Sequence, residues 1–112
     1  MATEPRHKDG VPIVSAMDRL DSTNAQAFHD QLEAAARSAE RAVVIDMTDL
    51  IYISSMGLRM ILQVVKEMEN QDIRIAFCSL SEDVREVFET SGFSSRIDIR
   101  PSLEEAIAAV SD

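Results

Sequence analysis

The sequence predicts an α/β fold, in which a mixed and mostly parallel β-sheet of about four strands carries about four helices. Strand-like runs rich in β-branched residues alternate along the chain with segments whose apolar residues recur at helical spacing. The run AVVIDM (Ala42 to Met47) is apolar almost throughout, which is typical of a strand covered on both faces. The chain has 112 residues, so we assign one domain, spanning residues 11–112.

The first elements are a strand and a helix. Residues 1–10 are polar and indicate a flexible tail or a short edge strand. VPIVSAM (Val11 to Met17) predicts a strand, and Asp21 or Ser22 is the expected N-cap of the helix that follows. We expect His29 on the solvent face of that helix. The apolar residues at helical spacing are Ala25, Phe28, Leu32, Ala35 and Ala36.

The centre of the chain repeats this order. AVVIDM predicts the second strand, and TDLIYI is expected to be a short connection. A helix is predicted from Ser55 to Asn70, because one apolar stripe recurs through this segment. IRIAF (Ile73 to Phe77) is the next predicted strand.

The last third of the chain predicts a helix, a short strand and a final helix. SEDVREVFETSG has acidic residues in its first turn, and Gly92 stands where a C-cap glycine belongs. RIDI indicates the last strand. SLEEAIAAV opens with Ser102 and Glu105 at the spacing of a capping box.

Composition excludes several classes of partner. Twenty acidic residues face eleven basic ones, for a formal net charge of −9. Nucleic acids and anionic membranes attract basic surfaces, so neither is an expected partner. The first ten residues contain no apolar segment typical of a signal peptide, and no apolar run is long enough to span a bilayer. We therefore expect a cytoplasmic protein, and we expect a monomer.

Residue types that support catalysis or cofactor binding are sparse. His7, His29 and Cys78 are the only histidines and cysteine, and none forms a pair with metal-ligand spacing, so no metal site is expected. Three glycines cannot build a phosphate-binding loop, so no cofactor is expected. A hydrolase serine would need a glycine where Ile53 stands and a histidine after the serine, so an enzyme is not expected.

Two adjacent serines, Ser54 and Ser55, stand at the predicted start of the central helix in the stretch YISSMGLR. One reading is a helix N-cap, which is a common role for serine at this position. The other is phosphorylation, because a helix N-terminus tolerates a phosphate while the surface charge changes sharply. The residues alone leave both readings open.

A family resemblance bears on this choice. VVIDMTDLIYISSMGLRMIL resembles the central segment of STAS domains, especially those of bacterial anti-sigma factor antagonists. DRLDSTNAQAF is similar to the start of the first helix in that family, where Asp18 stands in place of the usual glycine. VREVFETSGFSSRIDIRPSLEEAI is similar to the closing segment of the family. The resemblance implies a single STAS-like domain.

Carried over by position, Ser55 matches the phosphoacceptor serine of the family. Ser54 stands where many members have aspartate, and Met56 takes the place of a second serine or threonine. The residues that the resemblance implies for phosphorylation or partner binding are Asp21, Ser22, Thr23, Ser54, Ser55, Met56, Gly57 and Arg59.

The function that the resemblance implies is anti-sigma factor antagonism by partner switching. The unphosphorylated protein binds an anti-sigma factor that is also a serine protein kinase, and phosphorylation of Ser55 releases it. A serine phosphatase of the metal-dependent PP2C type then resets the protein. An alternative is a STAS scaffold or regulatory subunit in a stress-sensing complex, or in regulation of secretion or lipid transport, that does not use the serine. An esterase-like enzyme is the remaining alternative.

Overall fold

The structure, a computed structural model, describes residues 6–38, 42–93, 95 and 97–111. From Val11 onward strands and helices alternate, as the sequence predicts, and Arg6–Lys8 form an additional strand before them. The described part of the chain contains five strands and four helices. They are β1 (Arg6–Lys8), β2 (Val11–Leu20), α1 (Ala25–Ser38), β3 (Ala42–Ile53), α2 (Ser55–Asn70), β4 (Arg74–Cys78), α3 (Glu82–Thr90), β5 (Ile99–Arg100) and α4 (Leu103–Ser111).

The five strands form one mixed sheet in the order β1-β2-β3-β4-β5. The pair β1–β2 is antiparallel and the other three pairs are parallel, so the prediction of a mostly parallel sheet is confirmed. The turn between β1 and β2 consists of Asp9 and Gly10, whose φ angles are 55° and 80°. Asp-Gly favours this left-handed two-residue turn. The rest of the predicted N-terminal segment, residues 1–5, lies outside the described residues.

Helices cover both faces of the sheet. Alternate residues of β3 point to opposite faces: Val43 and Ile45 belong to the larger apolar cluster, which also contains residues of α1, α2 and α3. Val44 belongs to a smaller cluster together with Ile107 and Val110 of α4. The near-continuous apolar run in β3 therefore reflects burial on both faces.

The third strand is longer than the sequence predicts. TDLIYI was expected to be a connection, but β3 continues through it to Ile53. Pairing with β2 persists as far as Leu20 and Ile53, across two register shifts. One shift lies between Asp18 and Arg19, and Asp18 has a φ of 61°. These irregularities break the simple alternation of side chains, which hid this part of the strand from pattern analysis.

Candidate functional site

The candidate site lies at the edge of the sheet where β2 and β3 end. These two strands are parallel neighbours, so their carboxyl ends meet at the same edge. The Asp21 loop follows β2 and the two serines follow β3. A hydrogen bond from the backbone N–H of Ser54 to the carbonyl of Leu20, at 2.9 Å, joins the two chain segments.

The two serines occupy different positions. Ser54 is the N-cap of α2, with extended backbone angles, and its Oγ accepts a hydrogen bond from the Gly57 N–H at 3.1 Å. Its carbonyl accepts from Leu58 N–H at 2.9 Å. Ser55 is the first residue of the helix and is exposed. The cap role therefore belongs to Ser54, and the exposed hydroxyl belongs to Ser55.

Gly57 brings the start of α2 against β2. It is buried, and a Cβ atom at this position would lie 2.6 Å from the carbonyl oxygen of Leu20. Real Cβ atoms do not approach backbone that closely, so the contact requires glycine. Its buried position gives Gly57 a packing role, and its expected part in partner binding stays a prediction.

Hydrogen bonds to the side chain of Asp21 stabilise the loop before α1. Its Oδ1 accepts hydrogen bonds from the N–H and the hydroxyl of Thr23, at 3.0 and 2.6 Å. These two bonds, together with the weaker effect of Arg19, hold the pKa of Asp21 below its ordinary value despite partial desolvation. Asp21 therefore carries a full negative charge beside the candidate site at neutral pH.

The N-cap prediction for α1, Asp21 or Ser22, was wrong by two or three residues. The helix begins at Ala25, and a turn precedes it in which the carbonyl of Asp21 accepts hydrogen bonds from the N–H groups of Asn24 and Ala25. Asn24 also binds back to the strand, since its side chain accepts from Asp21 N–H and donates to the carbonyl of Arg19. This network fixes Ser22 and Thr23 as an exposed loop tip.

Three exposed apolar residues lie close to the serines along the chain: Met56, which was expected at the partner surface, and Ile51 and Tyr52, which sequence reasoning missed. The exposed fractions of Ile51, Tyr52 and Met56 are 68%, 44% and 49%, and these are the large exposed hydrophobic residues in the described part of the chain. The guanidinium of Arg19 lies 4.6 Å from the centroid of the Tyr52 ring, and its Nε donates to Asp21 Oδ2 at 3.3 Å. A strand prediction that continued through TDLIYI would have placed Ile51 and Tyr52 on β3 and could have revealed their exposure.

A groove of about 270 Å³ runs between α1 and α2, and Met56 is part of its wall. It brings together Ser22, Met56 and Arg59 of the predicted partner-binding residues. The full lining is Ser22, Ala25, Gln26, His29, Met56, Arg59, Met60 and Gln63. The groove thus brings Ser22 of the Asp21 loop to Met56 and Arg59 of α2, and Met56 directly follows the exposed Ser55.

His29 lies in the groove wall, and its predicted position on the solvent face of α1 was wrong. Only 9% of the residue is exposed, because it faces α2, and its Nε2 lies 2.9 Å from Glu67 Oε1. Burial lowers the pKa of His29, but the hydrogen bond to Glu67 and the nearby carboxylates of Asp30 and Glu33 outweigh it. The pKa of His29 is therefore raised.

The fold and the site describe a small α/β domain that presents one serine at a helix N-terminus, within a mixed polar and apolar surface. A profile of the STAS domain family matches residues 2–106. The chain belongs to the STAS domain family, as the resemblance in sequence implied.

Named relatives and solved structures agree with this assignment. The chain is 41% identical, over 90% of its length and 87% of the relative's, to a protein of Bordetella bronchiseptica named "Putative anti-sigma factor antagonist BtrV". An anti-sigma factor antagonist from Mycobacterium paratuberculosis has the same fold, with a TM-score of 0.88, 21% identity and coverage of 100% of this chain and 94% of that one. The Bacillus protein SpoIIAA in its phosphorylated form matches with a TM-score of 0.71, 20% identity and coverage of 98% and 99%.

Among the described residues, no helix has the length and apolar character needed to cross a membrane.

Proposed function

We propose that this protein is an anti-sigma factor antagonist that acts by partner switching. Its unphosphorylated form binds an anti-sigma factor that is also a serine protein kinase. The kinase transfers the γ-phosphoryl group of ATP to Ser55, and the complex dissociates. A metal-dependent serine phosphatase of the PP2C type hydrolyses the phosphoserine and restores the binding form. Membership of the STAS family and the relative named BtrV support this proposal.

The observation that carries the proposal is the division of roles between the two serines. A phosphoacceptor must be reachable by a kinase, and its modification must leave the domain folded. Ser55 is exposed at the first position of α2, while Ser54 supplies the hydrogen bond that caps the helix. Phosphorylation of Ser55 therefore leaves the N-cap hydrogen bond of Ser54 intact, and the helix dipole stabilises the added phosphate.

The surroundings of Ser55 suit a partner that must distinguish the phosphorylated serine from the unphosphorylated one. Exposed Met56 and Tyr52 offer apolar contact area, and Arg59 lies one helical turn further along the same groove. Asp21, Ser22, Thr23 and Ser54 adjoin them. We assign these residues to the partner surface, with Gly57 supporting the surface from beneath.

The proposal is tested by mapping the phosphate. The kinase is recovered from the native cell extract with a Ser55→Ala bait, and the purified kinase is incubated with ATP and the wild-type protein. Mass spectrometry should find one phosphate per chain, on Ser55. Ser54→Ala is the matched control, because it removes the neighbouring hydroxyl and should still be phosphorylated.

Two results would overturn the proposal. Phosphate on Ser54, Thr23 or Thr48 would show that the positional match with the family is wrong. A partner that binds the Ser55→Ala and Ser55→Asp proteins with equal affinity would favour the alternative of a STAS scaffold that does not use the serine.

A further inference from the structure

A buried histidine of α1 lies next to two carboxylates of the same helix, in the wall of the groove that Met56 and Arg59 also line. Nδ1 of His29 lies 3.3 Å from Glu33 Oε1 and 3.5 Å from Asp30 Oδ1. One ligand atom from each of the three residues lies within 4.8 Å of the others. His29 and Glu33 are one helical turn apart, which places their side chains on the same face.

The Nδ1 atom of His29 has no hydrogen-bond partner although it is buried. The other ring nitrogen, Nε2, lies 2.9 Å from Glu67 Oε1, and an Nε2–H donor satisfies that contact. In the neutral form of this tautomer, the Nδ1 lone pair lies within 3.5 Å of two carboxylate oxygens, and a buried polar atom without a partner is costly. A positive charge at this place removes the conflict: either a proton on Nδ1, which the raised pKa of His29 favours, or a metal cation between the three atoms.

We propose that His29 Nδ1, Asp30 and Glu33 form a binding site for a divalent transition-metal ion such as Zn²⁺. Donor atoms that each lie about 2.1 Å from a tetrahedral metal ion are separated by about 3.4 Å. The two separations at Nδ1 are close to this value. The site extends the family assignment and is independent of phosphorylation at Ser55.

The surroundings of the imidazole match those of known metal-binding histidines. Such histidines usually donate their second ring N–H to a carboxylate, which fixes the tautomer and the ring orientation. Glu67 on α2 holds that position here. The ligand set of one imidazole and two carboxylates favours Zn²⁺ over Mg²⁺, because magnesium prefers oxygen ligands alone.

The two carboxylates have room to close around an ion. The side chain of Asp30 is 65% exposed and that of Glu33 is 38% exposed. Asp30 Oδ1 accepts from Gln26 Nε2 at 3.1 Å, and Glu33 Oε2 lies 3.9 Å from Arg37. These surface contacts leave Glu33 Oε1 directed at the imidazole. Three protein ligands leave a coordination position for water.

The test is a calorimetric titration of the full chain with zinc chloride at about pH 8, because the pKa of His29 is raised and a proton on Nδ1 would compete with zinc. All proteins carry His7→Gln, so that His29 is the remaining histidine. We expect one Zn²⁺ per chain, and a dissociation constant at least about tenfold weaker in Asp30→Asn and in Glu33→Gln. Glu86→Gln, an exposed carboxylate change on α3, is the matched control and should bind like the parent. Magnesium chloride should not compete.

A second readout separates coordination from surface adsorption. Long-range ¹H–¹⁵N spectra of the imidazole should show that zinc perturbs Nδ1 of His29 while Nε2 stays protonated. Glu67→Gln should weaken zinc binding without abolishing it, since Glu67 orients the ring. Equal zinc affinity in the parent, Asp30→Asn and Glu33→Gln proteins would overturn the proposal. So would an Nδ1 resonance that zinc leaves unchanged.

Discussion

At the residue scale, Ser54 and Ser55 differ because they stand on either side of a helix boundary. The N-cap residue is still extended, so its side chain can turn back and accept a hydrogen bond from the first turn. Ser54 does so with Gly57 N–H at 3.1 Å. The next residue already has helical geometry, which directs Ser55 to solvent. Of the two neighbouring hydroxyls, one is bonded to the helix backbone and the other is exposed, as the proposed phosphoacceptor must be.

This difference predicts that two alanine substitutions change the free energy of unfolding by different amounts. Ser54→Ala should lower the free energy of unfolding by about 1 kcal/mol, because the cap hydrogen bond is lost. Ser55→Ala should change it by less than about 0.5 kcal/mol, as exposed positions usually do. Urea denaturation of both variants measures the difference. A larger loss in Ser55→Ala than in Ser54→Ala would contradict this assignment of the cap.

The lowered pKa of Asp21 predicts a pH-dependent contribution to stability. Its carboxylate is favoured in the folded state by the two hydrogen bonds from Thr23, so the pKa of Asp21 in the folded protein lies below its ordinary value. The stabilisation is therefore present above about pH 4 and is lost as the pH falls through the folded pKa. Asp21→Asn should be less stable than wild type at pH 7, and the difference should shrink below about pH 4.

The measurement is chemical denaturation of both proteins at about pH 7 and at about pH 3. The neutral amide can still accept from Thr23 N–H, so the comparison isolates the charge. Asp49→Asn serves as a control, because it removes the same charge from another exposed aspartate, which lies on β3. A difference between wild type and Asp21→Asn that grows on acidification would contradict the prediction.

At the scale of elements, the position of the site depends on how closely α2 approaches β2. Gly57 allows the first turn of the helix to lie against the carbonyl of Leu20, and the Ser54 N–H binds the same carbonyl at 2.9 Å. These contacts fix the position of the N-terminus of α2 relative to the end of β2. The exposed side of the same turn carries Ser55 and Met56. The packing of the first turn of α2 against β2 therefore sets the positions of the exposed residues on the same turn.

We predict that Gly57→Ala destabilises the domain although alanine favours helices. The added methyl group would meet the Leu20 backbone at 2.6 Å, so the helix must shift outward. Overpacking of this kind costs about 1–3 kcal/mol, which exceeds the gain of about 1 kcal/mol in helix propensity. Thermal unfolding should show a lower Tm than wild type. Gln63→Ala, an exposed change on the same helix, is the control, and an unchanged Tm in Gly57→Ala would refute the close contact.

Sequence patterns predicted elements where periodicity was regular. The helix from Ser55 to Asn70 has the predicted boundaries, because its apolar stripe and its cap agree. The continuation of β3 through TDLIYI was missed, since register shifts interrupt the alternation that marks a strand. His29 was misplaced because helical periodicity cannot show that a neighbouring helix covers a polar residue. The carbonyl contact of Gly57 is likewise tertiary, so spacing alone could not reveal it.

At the scale of the whole molecule, the sheet separates two ends with different surroundings. The parallel strands β2 and β3 deliver the Asp21 loop and the serines to one end. Arg74, at the start of β4, pairs with Ala42 at the start of β3 and therefore lies at the opposite end. The net charge of −9 gives the protein an acidic surface overall. Arg19 and Arg59 place positive charge at the serine end, beside exposed apolar residues.

This arrangement predicts how charge changes alter binding to the kinase under the proposed function. A phosphate on Ser55 adds about two negative charges to a surface that a partner must desolvate, and Ser55→Asp adds one of them. We expect Ser55→Asp to weaken the complex at least about tenfold, which corresponds to about 1.4 kcal/mol. Ser55→Ala should bind like unphosphorylated wild type and should not be released by ATP.

Arg59→Glu distinguishes contact at this surface from a general effect of net charge. It lies one turn from Ser55 and is exposed, so it should weaken kinase binding about tenfold while the Tm stays close to that of wild type. Arg74→Glu makes the same charge change at the opposite end of the sheet. It should alter the affinity by less than about twofold, because a partner at the serine end does not reach it and salt screens the distant charge. Calorimetric titration of the kinase with the four variants measures both effects. Equal losses in Arg59→Glu and Arg74→Glu would mean that overall charge, rather than this surface, governs recognition.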